Sequence, residues 1–177
     1  MPYFDSFPII SYDATGDKTF KKIRDITTRI KFKTAIQNNT ALFAKYNVKD
    51  GETPEAIAYR EYGEADLHWI VLVFNDILDP RYDWPLSQRD LNKFVKNKYS
   101  DPDGEHHREI AQSSGVTSIL IRVEADTVGA AAVTNFEYED NINAKKAQIK
   151  LLKQDFVSQV IKEFRKEMGR ATSTATT

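Results

Sequence analysis

The stretch from Tyr46 to Leu78, YNVKDGETPEAIAYREYGEADLHWIVLVFNDIL, constrains this chain more than any other, because strand, turn, helix, turn and helix signals follow one another within it. Tyr46-Asn47-Val48 reads as a short strand with two apolar side chains on one face, and Asp50-Gly51 supplies the turn that ends it. Thr53 is placed to cap a helix whose first turn holds Pro54, where a missing N–H costs nothing. Glu52 and Glu55 lie near the positive end of that helix dipole. Ala56, Ile57, Tyr59 and Tyr62 give the helix its apolar surface, and Gly63 suits the left-handed conformation that stops it. From Ala65, the spacing of Leu67, Ile70, Val71, Phe74 and Leu78 predicts a second helix running to Leu78, with Trp69, Leu72 and Val73 apolar on its other side. A helix apolar all round must be buried on more than one face, so other parts of the chain have to cover it.

The order Tyr46-x-Val48-x-x-Gly51-Glu52-Thr53, then Ile57-Ala58, Tyr62-Gly63, and Trp69, Ile70 and Asn75 resembles the front of a LysM module, a small fold used to bind N-acetylglucosamine polymers. With its flanks it resembles a narrower family, the baseplate wedge subunits of T4-type contractile-tailed phages, the gene product fifty-three family. Those flanks are Phe7-Pro8, the run Asp25-Ile26-x-x-Arg29-Ile30-x-Phe32, and Asn135-Phe136-Glu137-Tyr138-Glu139 leading to Ile149-Lys150-Leu151-Leu152. The resemblance implies a virion protein of the tail baseplate, assembled in the host cytoplasm. It would clamp the wedge scaffold, meet a sheath-initiator-like subunit, and join neighbouring wedges into a six-fold ring, with six copies in each baseplate. Its mechanism would be interface burial without chemistry, and remodelled contacts would accompany sheath contraction.

Upstream, Tyr3, Phe4, Phe7, Ile9, Ile10 and Tyr12 sit in a segment punctuated by Pro2 and Pro8. So much apolar surface at a terminus has to dock, either as a strand on the chain's own sheet or as an arm on a neighbour. Lys18, Lys21, Lys22, Arg24, Arg29, Lys31 and Lys33 form a basic cluster, read as a solvated face or one that meets acidic partner surfaces. Within it a turn or short helix is expected near 19–24 and an extended segment near 25–34, where Ile26, Thr27, Thr28, Ile30 and Phe32 favour strands. Asn38-Asn39 marks a turn.

Downstream, the second strand that a LysM module would bring after the helices is missing, and Asp79-Pro80-Arg81-Tyr82-Asp83-Trp84-Pro85-Leu86 stands in its place, rigid and aromatic. Ser87 then begins another helix, with Asp90 as capping partner and Leu91, Phe94 and Val95 along one face. Residues 100–115 are polar and predict an exposed loop. The loop contains Glu105-His106-His107-Arg108-Glu109, where adjacent histidines should point apart and no third ligand has zinc spacing. His68 sits in the apolar helix as a structural residue. Strands are expected at 116–123, 133–138 and 148–152, the last two forming a hairpin around the turn formers Asp140-Asn141-Ile142-Asn143. Gln154 to Met168 is an amphipathic helix with Phe156, Val160, Phe164 and Met168 in one row, Val157 and Ile161 beside it, and Gly169 at its end. The final ATSTATT is too polar to fold.

The fold class is therefore α+β: a small mixed domain with a LysM-like strand-helix-helix core, an added antiparallel hairpin and a C-terminal amphipathic helix. Its divisions are an arm with a basic segment at 1–40, the core with an extra helix at 41–99, the loop at 100–115, hairpin and helix at 116–168, and a disordered tail at 169–177. Its 177 residues suffice for a real core. A net charge of -1, from 25 basic and 26 acidic residues, argues against a nucleic-acid binder. The absence of cysteine removes disulfides, thiolate metal sites and a cysteine nucleophile. Neither a signal peptide nor a membrane span is expected, so no membrane partner is. There is no phosphate-cradling glycine loop, no G-x-S-x-G elbow and no H-E-x-x-H, and Glu137 with Glu139, on one side of the expected strand, reads as surface charge. No enzyme, cofactor or metal is expected.

Two functions remain: a baseplate wedge protein that binds other wedge proteins, and a LysM-type module binding peptidoglycan or chitin. The interface candidates are Phe4, Phe7 and Ile9 in the arm, Arg29 and Lys31 in the basic segment, Tyr82 and Trp84 in the proline-flanked loop, and Phe136 and Tyr138. Each has a plainer alternative, solvent for the charges and core packing for the aromatics.

Overall fold

A computed structural model describes residues 3–32, 34–113, 118–124 and 126–174. In chain order a 3-10 turn (Tyr3–Ser6) leads to β1 (Ile9–Tyr12), β2 (Lys21–Arg24), α1 (Thr34–Gln37), β3 (Phe43–Asn47) and α2 (Pro54–Tyr62). A second 3-10 turn (Ala65–Leu67) precedes α3 (His68–Phe74), α4 (Pro80–Asp83) and α5 (Gln88–Lys98). Then come β4 (Glu105–Ser113), β5 (Ser118–Val123), β6 (Ala131–Thr134), α6 (Asn135–Ala147), β7 (Gln148–Leu152) and α7 (Gln154–Thr174). The mixture of helices with small sheets is α+β, as the sequence implies. The chain divides into two compact units, residues 1–47, 52–83 and 149–177 in one, and 48–51 with 84–148 in the other.

In the first unit α2 forms as its sequence dictates. Thr53 Oγ1 accepts from the Ala56 N–H at 3.2 Å, Pro54 opens the first turn, and Gly63 at φ 80° closes the helix by donating to the Tyr59 carbonyl. Glu52 does more than favour the dipole: it accepts from the Tyr46 hydroxyl at 2.7 Å and pairs with Arg60. Helix α3 stops at Phe74, four residues before the expected end at Leu78. There Asp76 takes the left-handed conformation at φ 55°, its N–H meets the Val73 carbonyl, and the Ile77 N–H meets that of Leu72. This is a Schellman ending built on aspartate, so no glycine announced it. Asn75 then donates to the carbonyls of Val71 and Lys150 and accepts from the Lys150 N–H, each at 2.8 Å, which ties the helix end to β7.

Strand β3 pairs with β7. The strand found missing after the two helices is thus supplied from residues 148–152, once 84–147 have intervened. The buried residues of this unit include Phe43, Ile57, Ala58, Ile70, Val71, Phe74, Ile149 and Leu152. Residues 21–24 form a strand rather than a turn or helix, because β2 pairs antiparallel with β1 from Ile9↔Arg24 to Tyr12↔Lys21, and the described residues after Arg24 hold no strand before Phe43. Helix α7 buries Val157, Phe164 and Met168 and continues through Gly169 to Thr174. A glycine inside a helix costs about 1 kcal/mol against alanine, which is not enough to end a helix when its neighbours favour it.

In the second unit Ser87 caps α5, its Oγ accepting from the Asp90 N–H at 3.2 Å and donating to Asp90 Oδ2 at 2.8 Å, and Leu91 and Val95 are buried. Two expectations fail here. The polar segment 105–113 is a strand, held on both sides in a sheet of order β5-β4-β6, since pairing outweighs side-chain polarity. The expected strand at 133–138 and its hairpin give way to α6. Thr134 and Glu137 form a reciprocal capping box, Thr134 Oγ1 accepting from the Glu137 N–H at 3.1 Å and Glu137 Oε2 from the Thr134 N–H at 2.8 Å. The turn formers Asp140 to Asn143 therefore lie within a helix, and the antiparallel pairing of this unit belongs to β4 with β5 and β6. Asn143 makes use of its amide there, accepting from the Leu86 N–H at 2.7 Å and donating to the Leu86 carbonyl at 2.9 Å. Pro2, Lys33, residues 114–117 of the expected loop and strand, and 175–177 of the expected tail lie outside the described residues.

Candidate interface surfaces

The N-terminal segment is anchored inside the first unit. Tyr3 stacks on Phe164 with ring centroids 5.6 Å apart and lies 5.3 Å from Trp69 and 4.9 Å from Phe7, while Trp69 and Phe164 are 4.7 Å apart. The Arg24 guanidinium donates to the Asp5 carbonyl at 2.6 Å, which joins the first turn to β2. Phe7 is consequently only 4% exposed, whereas Phe4 and Ile9 are 53% and 55% exposed. Of the three arm candidates, Phe7 is core and the other two present apolar surface.

Beside the ring cluster a groove of about 780 Å³ is lined by Ile30, Phe32, Leu42, Phe156, Val160 and Met168, with Lys31 and Glu163 on its margins. Lys31 reaches Asp76 at 3.5 Å, and Arg29 is exposed. In α4, Asp79 accepts from the Arg81 guanidinium at 2.9 Å, and Arg81 lies 5.8 Å over the ring of Tyr82, which is 72% exposed. The hydrogen bonds from Arg81 hold the Asp79 carboxyl below the usual range. Trp84, in the second unit, is buried.

The second unit gathers polar groups that the sequence reading scattered. Glu139, on α6, is buried and accepts from Lys98 Nζ at 2.7 Å and the Tyr99 hydroxyl at 2.8 Å. Burial pushes its carboxyl up, but the bonds from Lys98 and Tyr99 outweigh it and hold it below the usual range. Glu137 and Glu139 are therefore neither a same-side strand pair nor plain surface charge: one caps a helix and the other is a buried ion-pair partner. The adjacent histidines also meet instead of diverging, because the register of β4 against β6 shifts between Glu105 and His107. His106 Nδ1 and His107 Nδ1 are 2.8 Å apart, and His107 Nε2 is 2.8 Å from Glu109 Oε1. A proton on His107 Nε2 facing that carboxylate leaves its Nδ1 to accept from His106 Nδ1–H. The ring of Tyr138 stacks on His106 at 3.8 Å, so Tyr138, like Phe136, is half-buried. Burial, then the neighbouring His107 and Arg122, lower the His106 pKa.

Among the described residues no group of three or more histidine, cysteine, aspartate or glutamate side chains could hold a metal ion, and no helix is long and apolar enough to cross a membrane. The signals for what was missed were present in one case, since Thr134-x-x-Glu137 is a capping box in sequence, and absent in the other, since nothing local marks Lys98 and Glu139 as partners.

The sequence profile described as base plate wedge protein 53 matches residues 4–113. The curated relative "Baseplate wedge protein gp53" of Enterobacteria phage T4 is 35% identical over 60 residues, which are 34% of this chain and 31% of that protein. The chain thus aligns with less than a third of the relative's length. A profile match over more than half of the chain is decisive for kinship, and the chain belongs to the base plate wedge protein 53 family, structural proteins of the phage tail baseplate.

Proposed function

We propose that this chain is a structural wedge protein that acts by burying surface against other wedge proteins and against neighbouring wedges, which it helps join into a six-fold ring. The observation that carries this reading is the family match over residues 4–113. Exposed Phe4, Ile9, Arg29, Lys31 and Tyr82, all within that span, are the side chains available for such contacts, and Phe136 and Tyr138 can contribute their half-exposed edges. Phe7 and Trp84 act indirectly, by holding the first turn and the segment before α5. The wedge scaffold and a sheath-initiator-like subunit are the partners this reading expects.

A second reading has one observation in its favour. The pairing of β3 with β7 completes a strand-helix-helix-strand order around α2 and α3, the order of a glycan-binding LysM module. One experiment separates the two. Tagged protein is incubated with lysate of phage-infected cells, and in parallel with insoluble peptidoglycan and chitin. Recovery of identified baseplate proteins without polysaccharide retention is the expected result. Retention that free N-acetylglucosamine oligomers abolish, with no baseplate protein recovered, would replace assembly by glycan binding.

A further inference from the structure

The three-stranded sheet of the second unit has the order β5-β4-β6, so among the described residues β5 is an edge strand and one side of its backbone has no strand beside it. Stable proteins protect such edges with charge, proline, a bulge or a covering element. Over Ile119-Leu120-Ile121 this strand has neither charge nor proline, and the three side chains are 58%, 66% and 40% exposed. Successive strand residues point to opposite faces, so the edge is apolar on both sides of the sheet. The register places Ile119, Ile121 and Val123 on one face, across from Gln112, Ile110 and Arg108, and Leu120 and Arg122 on the other, across from Ala111 and Glu109. Arg122 is exposed and makes no ion pair or side-chain hydrogen bond among the described residues, while Glu109 beside it is engaged by His107. The strand lies beyond residues 4–113, so the family match does not account for it.

We propose that the open edge of β5 receives an extended strand from a different protein, apolar at three consecutive positions and carrying a carboxylate opposite Arg122. A row of open backbone N–H and C=O groups is best satisfied by another strand, which gains main-chain hydrogen bonds while its side chains set specificity. A second copy paired through the apolar run does not meet the charge. With a two-fold axis at Leu120, between Leu120 and Ile121, or at Ile121, antiparallel self-pairing sets Arg122 against Ser118, Ile119 or Leu120, never against an acid. The proposal rests on the assembly reading for the source of the strand, another protein of the baseplate.

The test uses the full chain and two synthetic peptides of extended apolar sequence that differ at one position, Glu in one and Lys in the other, placed to fall opposite Arg122. Amide hydrogen exchange is read at Ile119 to Val123. The Glu peptide should slow exchange there and bind about three- to five-fold more tightly than the Lys peptide, the range of an exposed ion pair, and Arg122→Glu should reverse the preference. No slowing with either peptide overturns the proposal. Equal slowing by both overturns the stated chemistry of the occupant, and slowing that grows with protein concentration alone overturns it in favour of a second copy. Recovery of identified baseplate proteins from infected-cell lysate keeps the two readings apart. Equal recovery by the wild-type and Arg122→Glu chains, with β5 unprotected, sinks the strand proposal and spares assembly; no recovery by the wild-type chain sinks the assembly reading together with the strand's stated source.

Discussion

The first unit centres on a large apolar and aromatic core, the second on a smaller apolar core beside a buried ion pair. In the first, Ile57, Ile70, Val71 and Phe74 are fully buried, and Tyr3, Phe7, Trp69 and Phe164 form a continuous ring cluster. The second buries Val48, Trp84, Leu91 and Val95, and beside them the Lys98–Glu139–Tyr99 contact, the Asn143–Leu86 pair and the Thr134–Glu137 box. The difference predicts two kinds of fragility. Apolar burial is lost when volume is removed and is nearly indifferent to pH, whereas a polar core is lost when one partner is removed or changes its charge.

The largest effect is expected from Phe74→Ala, which deletes a fully buried ring beside Phe32 and Phe43. Such deletions cost about 3–5 kcal/mol, and denaturant unfolding should show that loss. Hydrogen exchange should place it in the first unit's amides; an equal loss in the second unit would end the distinction.

Lys98→Met probes the other side. Among the described residues it leaves the buried Glu139 carboxylate with only the Tyr99 hydroxyl as a hydrogen-bond partner, and because Lys98 is itself half-exposed the cost should be about 1–2 kcal/mol, below that of a fully buried pair. Acid should act in the same direction. The Glu139 pKa is lowered in the fold, so its contribution is present above the unfolded carboxylate range and is lost as pH falls through the folded value. The His106 pKa is lowered too, so the unfolded chain takes up that proton first and stability falls once pH drops below about 6.5. The groups facing His106 are His107, Arg122, Glu139 and Lys98, with Tyr138 stacked on it. Protection of the α6 and β4 amides, taken relative to the intrinsic exchange rate at each pH, should therefore fall between pH 7 and 5 while that of α2 and α3 holds. His106→Phe, which keeps the stack on Tyr138, should remove the early part of that change.

The two units also differ in how much of them could be read from sequence. Helix α2 was legible to its caps because Thr53, Pro54 and Gly63 act within a few residues. Its neighbour α3 was legible in type but not in length, since an aspartate took the position glycine usually holds. In the second unit β4 was unreadable: its composition is polar, and it is a strand because two other strands flank it. Helix α6 misled for a different reason, as Phe136 and Tyr138 alternate with Glu137 and Glu139 like a strand while Thr134 and Glu137 decide the matter locally. The candidate interface divided similarly. Exposure of Phe4, Ile9 and Tyr82 fits apolar side chains near prolines and turns, but burial of Phe7 and Trp84 depends on contacts remote in sequence. Thr134→Ala sharpens this point, with an expected loss of about 1 kcal/mol and frayed amides at the start of α6.

The smallest stability effect is expected where the comparison predicts an effect on assembly instead. Tyr82 is exposed on α4, with the Arg81 guanidinium over its ring, so Tyr82→Ala should change unfolding free energy by no more than about 0.5 kcal/mol. An exposed aromatic at an interface centre is nonetheless among the residues whose truncation costs most in binding, about 2 kcal/mol or more. Recovery of baseplate proteins from infected-cell lysate should then fall well below that of the wild-type chain at unchanged thermal stability. Unchanged recovery with unchanged stability would remove Tyr82 from the contact surface and leave Phe4 and Ile9 as the apolar positions to truncate. A loss of both would mean that the ring supports the short helix around Asp79 and Asp83, whose carboxylates already hold the backbone at Leu78, Asp79 and Arg81.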